Sequence, residues 1–317
     1  MHRRAFTQYG AAFFASVLGQ RVRAAEDVTV RIGWLRSPND ITTGKARGTI
    51  EKALAERRAS VQWVGPFAAA APALEALNAG AIDVTAGSST ASVTALSAGV
   101  PVLIYAYQRI AAGGEAIVVR KNSSIRTLAD LANKNVAVNR GGTGEYLLMR
   151  ALARNGINPA NVRRVYLSPA DSGASFTQGH VDAWATWDPF VTIALQTYDA
   201  RVLVDGAGIG SENAVTLMTS RDFAARRRDL LQVLFDTNIS DNKWAQSNAA
   251  EAGVTWVQAM NLPISLASAI GRNNAVPTSA VTERSVAEIK GVAEWYAASK
   301  IIPHLPNIDF GVIKLAS

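Results

Sequence analysis

Apolar and polar positions alternate over 28–34, where Thr29 and Arg31 separate Val28, Val30 and Ile32, and the pattern predicts a strand. A polar loop over 35–43 follows, then a helix over 44–58 with Ala46, Ile50, Leu54 and Ala55 on one side. A strand over 61–64, a short helix over 73–79 stopped by Gly80 and a strand over 81–86 come next. That strand leads into Gly87-Ser88-Ser89-Thr90, a helix running to Ala98, and a strand over 102–107. Strands alternating with helices at this spacing predict an α/β fold with a parallel, doubly wound sheet. The pattern then restarts. Strands are expected over 115–119, 135–138, 162–167, 181–187 and 201–204, with helices over 127–132, 143–156, 171–178 and 188–197 between them. Gly206, Gly208 and Gly210 mark a turn, and beyond Ser220 the chain reads as helical over 220–247, 249–259, 263–271 and 283–299. Two sheets in series with a helical tail predict two lobes, the first from 26–112 and 213–317, the second from 113–212.

In open α/β sheets, ligands bind beyond the carboxyl ends of strands. The segment Asn139-Arg140-Gly141-Gly142-Thr143-Gly144-Glu145 lies between an apolar strand and a helix. The first N–H groups of that helix have no intrahelical partner and sit at the positive end of its dipole. Gly141 and Gly142 allow close approach of a ligand to the backbone, and Thr143 is expected as the N-cap, adding a hydroxyl donor. Such an end can hold a sulfonate, carboxylate or phosphate, although an ordinary βα turn uses the same residues. It is neither a P-loop nor a dinucleotide fingerprint, because the glycine spacing and the closing lysine are wrong. Other strand ends offer Trp34 with Arg36, the hydroxyl cluster Ser88, Ser89 and Thr90, and Trp187 with Asp188. Two helix starts facing one cleft would share a single anion, with aromatic rings along its organic part. Simpler readings stay open: Ser88 to Thr90 as helix caps, Asp188 as a cap before Pro189, Arg36 solvated in a loop, and Trp184 in the core.

Composition changes this picture mainly at the N-terminus. Arg3-Arg4, an apolar run over 11–18 and Ala24-Ala25 form a secretory signal, expected to span 1–25. Arg3-Arg4-Ala5-Phe6 also resembles the twin-arginine motif, so either that route or the general secretory route is open. The expected location is the periplasm. Cleavage removes four arginines and no acid, lowering the formal charge from +7 to +3, so the basic balance implies no nucleic-acid partner. The absence of cysteine excludes disulfides, thiol catalysis and cysteine-ligated metals. Only His2, His180 and His304 are present, and no metal or other cofactor is expected.

Several segments resemble the periplasmic aliphatic-sulfonate and taurine binding proteins of ABC importers, within the wider nitrate/sulfonate/thiamine-precursor-binding group. They are Lys45-Ala46-Arg47-Gly48-Thr49-Ile50-Glu51, the run 74–83, Val136 to Gly141, Ser220 to Ala224 and, the most specific, Asp182-Ala183-Trp184-Ala185-Thr186-Trp187-Asp188-Pro189. The resemblance implies a type II periplasmic binding fold closing on its ligand, no catalysis, a monomer and permease partners in the membrane. It also implies ligand contacts from Ser88 to Thr90, from Gly142-Thr143 and from Trp187-Asp188. Where relatives have Gly-Asp after the third strand, this chain has Ser88-Ser89. The missing carboxylate would have met a ligand ammonium, so an aliphatic or aromatic sulfonate fits better than zwitterionic taurine. Nitrate, a carboxylate and a ligand-sensing role remain alternatives. An enzyme like the thiamine-pyrimidine synthases fits less well, since that chemistry needs a cysteine-rich iron motif.

Overall fold

The computed structural model describes residues 28–316, so the expected signal segment lies outside the described residues. The strands are β1 (Val28–Leu35), β2 (Ala59–Phe67), β3 (Val84–Ser88), β4 (Val102–Arg109), β5 (Glu115–Arg120), β6 (Asn135–Val138), β7 (Arg163–Tyr166), β8 (Ala183–Trp187), β9 (Ala200–Asp205), β10 (Ala214–Ser220) and β11 (Thr278–Ala280). The helices through the second lobe are α1 (Asp40–Arg47), α2 (Thr49–Ala55), α3 (Ala70–Asn78), α4 (Ser89–Ser97), α5 (Thr143–Arg154), α6 (Pro169–Thr177), α7 (Phe190–Thr197) and α8 (Gly206–Ile209). Helices α9 (Arg221–Arg226), α10 (Arg228–Ser247), α11 (Ala249–Ala259), α12 (Ala267–Asn274) and α13 (Glu283–Ala298) follow.

The strands form two sheets, one ordered β11-β4-β10-β3-β1-β2 and the other β7-β6-β8-β5-β9. The polypeptide crosses between them after β4 and returns after β9. Neither sheet is parallel throughout, contrary to the expectation from the alternating pattern. β10 runs antiparallel to both β3 and β4, and β5 antiparallel to both β8 and β9. The reason is geometric. A strand arriving from the other lobe enters the sheet from the end where its neighbours finish, so it runs against them.

β10 lies in a stretch to which the sequence pattern assigns no element. Thr216 and Thr219 of this strand are fully buried, Thr216 meeting the Ser92 hydroxyl at 2.9 Å and Thr219 donating to Asp83 O at 3.1 Å. The single helix expected over 44–58 is two helices. It begins earlier, at Asp40 capped by Asn39, and breaks at Gly48, whose φ of 68° only glycine adopts readily. The helix expected over 220–247 divides at Arg227, and that over 127–132 is a 3-10 turn, Leu128–Leu131.

Alternation along β1 sorts its side chains between two cores. Val30 and Ile32 pack in one with Leu231, Leu234 and Phe235 of α10, and Trp34 lies against the same core. Leu35 points the other way, into a core shared with Leu74 of α3, Val93 of α4 and Tyr296 of α13. This second core continues into Leu147 and Leu148 of α5, so the lobes are continuous along the face where α4, α5 and α13 meet. A third cluster, around Phe176, Trp184 and Val191, fills the far face of the second sheet. Among the described residues no helix is long and apolar enough to cross a membrane.

Candidate functional site

A cavity of about 250 Å³ opens beyond the carboxyl ends of strands from both sheets. At its polar end the starts of α4 and α5 come together. α4 begins where β3 ends, and Ser88 caps it, its hydroxyl accepting from Ala91 N–H at 3.2 Å and meeting the Thr90 hydroxyl at 2.8 Å. α5 begins differently. Its cap position is Gly142 and not the expected Thr143, which is the first helical residue, so the cap has no side chain to offer the free N–H groups. Asn139 accepts from Gly144 N–H at 2.7 Å, and the buried Glu145 carboxylate reaches back to accept from Gly141 N–H at 2.7 Å. A methyl group at Gly144 would stand 2.5 Å from Ala185 O, which explains why that helix start approaches β8 so closely.

Asn213, just before β10, joins the two helix starts. Its Oδ1 accepts from the Ser89 hydroxyl at 3.1 Å, and its Nδ2 donates to the Thr143 hydroxyl oxygen at 3.1 Å. Nδ2 also donates to Glu115 Oε2 at 3.0 Å. The polarity of this bridge matters. Ser89 spends its proton on Asn213, whereas Thr143 only accepts from it and keeps its proton to donate. Glu115 and Asn213 sit on the two crossings between lobes, and burial pushes the Glu115 carboxyl up to about 7 against hydrogen bonds from Ser211 and Asn213.

Of the expected contacts, Ser88, Gly142, Thr143 and Trp187 line one cavity. Ser89 and Thr90 are fully buried at the α4 start beneath it, their hydroxyls committed to Asn213, Ala214 N–H and Ser88. Trp34, Arg36 and Asp188 do not line it. Trp34 faces the opposite side of β1, where Lys45 Nζ lies 5.0 Å from its ring. Arg36 turns outward and donates to Met260 O at 2.7 Å. Asp188 is buried and accepts from Thr192 N–H and hydroxyl and from the amides of Asn273 and Asn274 of α12, at 2.8–3.0 Å. It therefore ties the second lobe to the helical tail, and burial raises its pKa despite those bonds. Trp184 is buried between Phe176 and Phe190.

The structure adds residues that the sequence reading passed over. Arg140, in the glycine turn itself, lines the cavity with its guanidinium 3.7 Å from the centre of the Tyr166 ring. Ser37 and Asn39 line it from the loop after β1. Asn213 belongs to no periodic segment, and no sequence signal marks it. Away from the polar end, the wall is a sleeve of Ala70, Ala71, Leu74, Ala91, Ala95 and Val100 from α3, α4 and the segment after α4. Such a site offers oriented N–H and O–H donors to an anion and apolar surface to the rest of the molecule. Nothing in it pairs a nucleophile with a base.

Two lobes closing on a cavity at the strand ends define a type II periplasmic binding fold. The chain belongs to the NMT1-like family, whose pattern matches residues 23–258. It is 30% identical to a putative aliphatic sulfonates-binding protein of Escherichia coli K12 over 280 residues, 88% of this chain and 86% of that one. It is also 30% identical over 211 residues to the taurine-binding periplasmic protein of the same bacterium, covering 66% of this chain and 63% of the other. Among solved structures, the alkanesulfonate-binding protein SsuA from Xanthomonas axonopodis pv. citri, bound to MOPS, superposes with a TM-score of 0.84 at 28% identity, over 92% of this chain and 99% of that one.

Proposed function

We propose that this protein is the periplasmic solute-binding component of an ABC importer, capturing an organosulfonate between its lobes and presenting it to membrane permease subunits without chemical change. The observation that carries the reading is the meeting of two helix amino ends, one from each lobe, through Asn213 at the polar end of one cavity. A sulfonate has three acceptor oxygens and a fixed charge, matching free N–H groups, the Thr143 hydroxyl and the Arg140 guanidinium. The sleeve of α3 and α4 would take the carbon chain or ring. The only acid lining the cavity, Glu75, is exposed on α3, so no buried carboxylate in the cavity wall waits for an ammonium group. The named sulfonate-binding relatives support this ligand class.

A ligand touching both lobes favours the closed form by the contacts it makes only there, and the permease would read that closure. A thermal-shift screen of the mature protein against alkanesulfonates, an aryl sulfonate, taurine, sulfate, nitrate and carboxylates tests the reading. Hexanesulfonate is expected to raise the melting temperature more than taurine or nitrate and to remain unchanged chemically after incubation. Stabilisation by nitrate or a carboxylate alone would reassign the ligand, and turnover of the sulfonate would make the protein an enzyme.

A further inference from the structure

Glu115 does not line the cavity, although it accepts from Asn213, and its position is unusual. It is the first residue of β5, directly after the outward crossing, and Asn213 stands directly before β10, after the return crossing. Their hydrogen bond links the two crossings, and the same Asn213 amide nitrogen continues to Thr143 in the cavity wall. Glu115 is thus one amide group removed from the pole that would hold the anion.

The groups around it leave a charge there uncompensated. No lysine or arginine pairs with Glu115 among the described residues. From α5, Tyr146 is the titratable group near it; its hydroxyl accepts from Glu212 N–H, and Arg150 on the same helix lies 3.7 Å from the Glu212 carboxylate. From the start of α8, Gly206 packs against the Glu115 side chain, while Asp205 is turned to cap Gly208 N–H. From β8, Asp188 donates its N–H to Gly114 O but aims its carboxylate at α12. What remains on Glu115 are the neutral dipoles of Asn213 and Ser211.

We propose that Glu115 is a positioning residue that takes up a proton when the anionic ligand binds, so that the anion meets no uncompensated buried carboxylate; Glu145, the other buried acid at this end, is paired with Arg164. The inference rests on the sulfonate reading above. Two like charges in a water-poor site repel strongly, and protonation of the weaker acid relieves the repulsion. Oε2 can keep accepting from Asn213 while Oε1 carries the proton, so the Asn213–Thr143 bond survives. The upward displacement of the Glu115 carboxyl by burial already poises it near neutrality.

Calorimetry with hexanesulfonate, whose charge does not change near neutrality, tests this on the intact mature protein. Only the protonated fraction of Glu115 is competent, so Kd is expected to rise about ten-fold from pH 6 to pH 8. Binding at pH 8 in buffers of different ionisation enthalpy is expected to show net uptake of approaching one proton. Glu115→Gln, which keeps the hydrogen bond without the charge, is expected to abolish proton uptake and to flatten the pH profile at the tight limit. Binding that is independent of pH with no proton uptake, or an unaltered slope in Glu115→Gln, overturns the role of Glu115 and leaves the sulfonate reading intact. Absence of hexanesulfonate binding at either pH overturns both.

Discussion

The two helix starts at the cavity, one rich in hydroxyls and the other in glycine, differ in what they have left to offer. α4 is self-sufficient: the Ser88 hydroxyl occupies Ala91 N–H, and Ser89 has given its proton to Asn213. α5 has a glycine where a capping side chain would stand, and its Thr143 hydroxyl retains a proton. A hydroxyl-rich helix start can thus be the less available one, because short polar side chains satisfy their own backbone. Availability for a ligand comes from the absence of a side chain at the cap position, while Asn139 and Glu145 satisfy the Gly144 and Gly141 N–H groups.

The most severe way to break this asymmetry is Thr143→Glu. A carboxylate at the open end replaces a donor by a like charge, and sulfonate affinity is expected to fall by more than about 100-fold. Unchanged affinity by calorimetry would remove the α5 start from the site. Next is Asn213→Ala, which deletes the bridge and leaves the buried Ser89 hydroxyl without its acceptor. Affinity is expected to fall by roughly 10- to 100-fold, with a loss of unfolding stability of about 1–3 kcal/mol measured by denaturant titration. An effect on stability alone would mean that the two starts act independently. The mildest is Ser88→Ala. Loss of the α4 cap is expected to cost about 1 kcal/mol of stability and to weaken binding by less than about five-fold. If it weakened binding as much as Thr143→Glu, the proposed contrast between the starts would be wrong.

The legible and the illegible parts of the site divide along the same line. The glycine turn and Thr143 could be found because strand, turn and helix start are contiguous, and contiguity is what periodicity detects. Trp34 lies one residue from the lining position: the alternation that puts Val30, Ile32 and Trp34 on one face of β1 puts Leu35 on the other, towards the cavity. Asp188 was found as a polar residue beside the right strand end, but its partners Asn273 and Asn274 come from a helix some 85 residues later. Arg36 likewise finds its acceptor at Met260, far along the chain.

By itself the sequence determined the alternation of strands and helices, the restart of that pattern after Gly114, and the glycine turn that leads into α5, all of which depend on neighbours within a few residues. Only the tertiary structure decided that β5 and β10 run against their sheets, that the Ser89 and Thr143 hydroxyls share one amide, and that Glu115 is buried beside it. The physical reason is that hydrogen-bond direction and desolvation are set by groups brought together across long chain separations: Asn213 is 124 residues from Ser89 and 98 from Glu115.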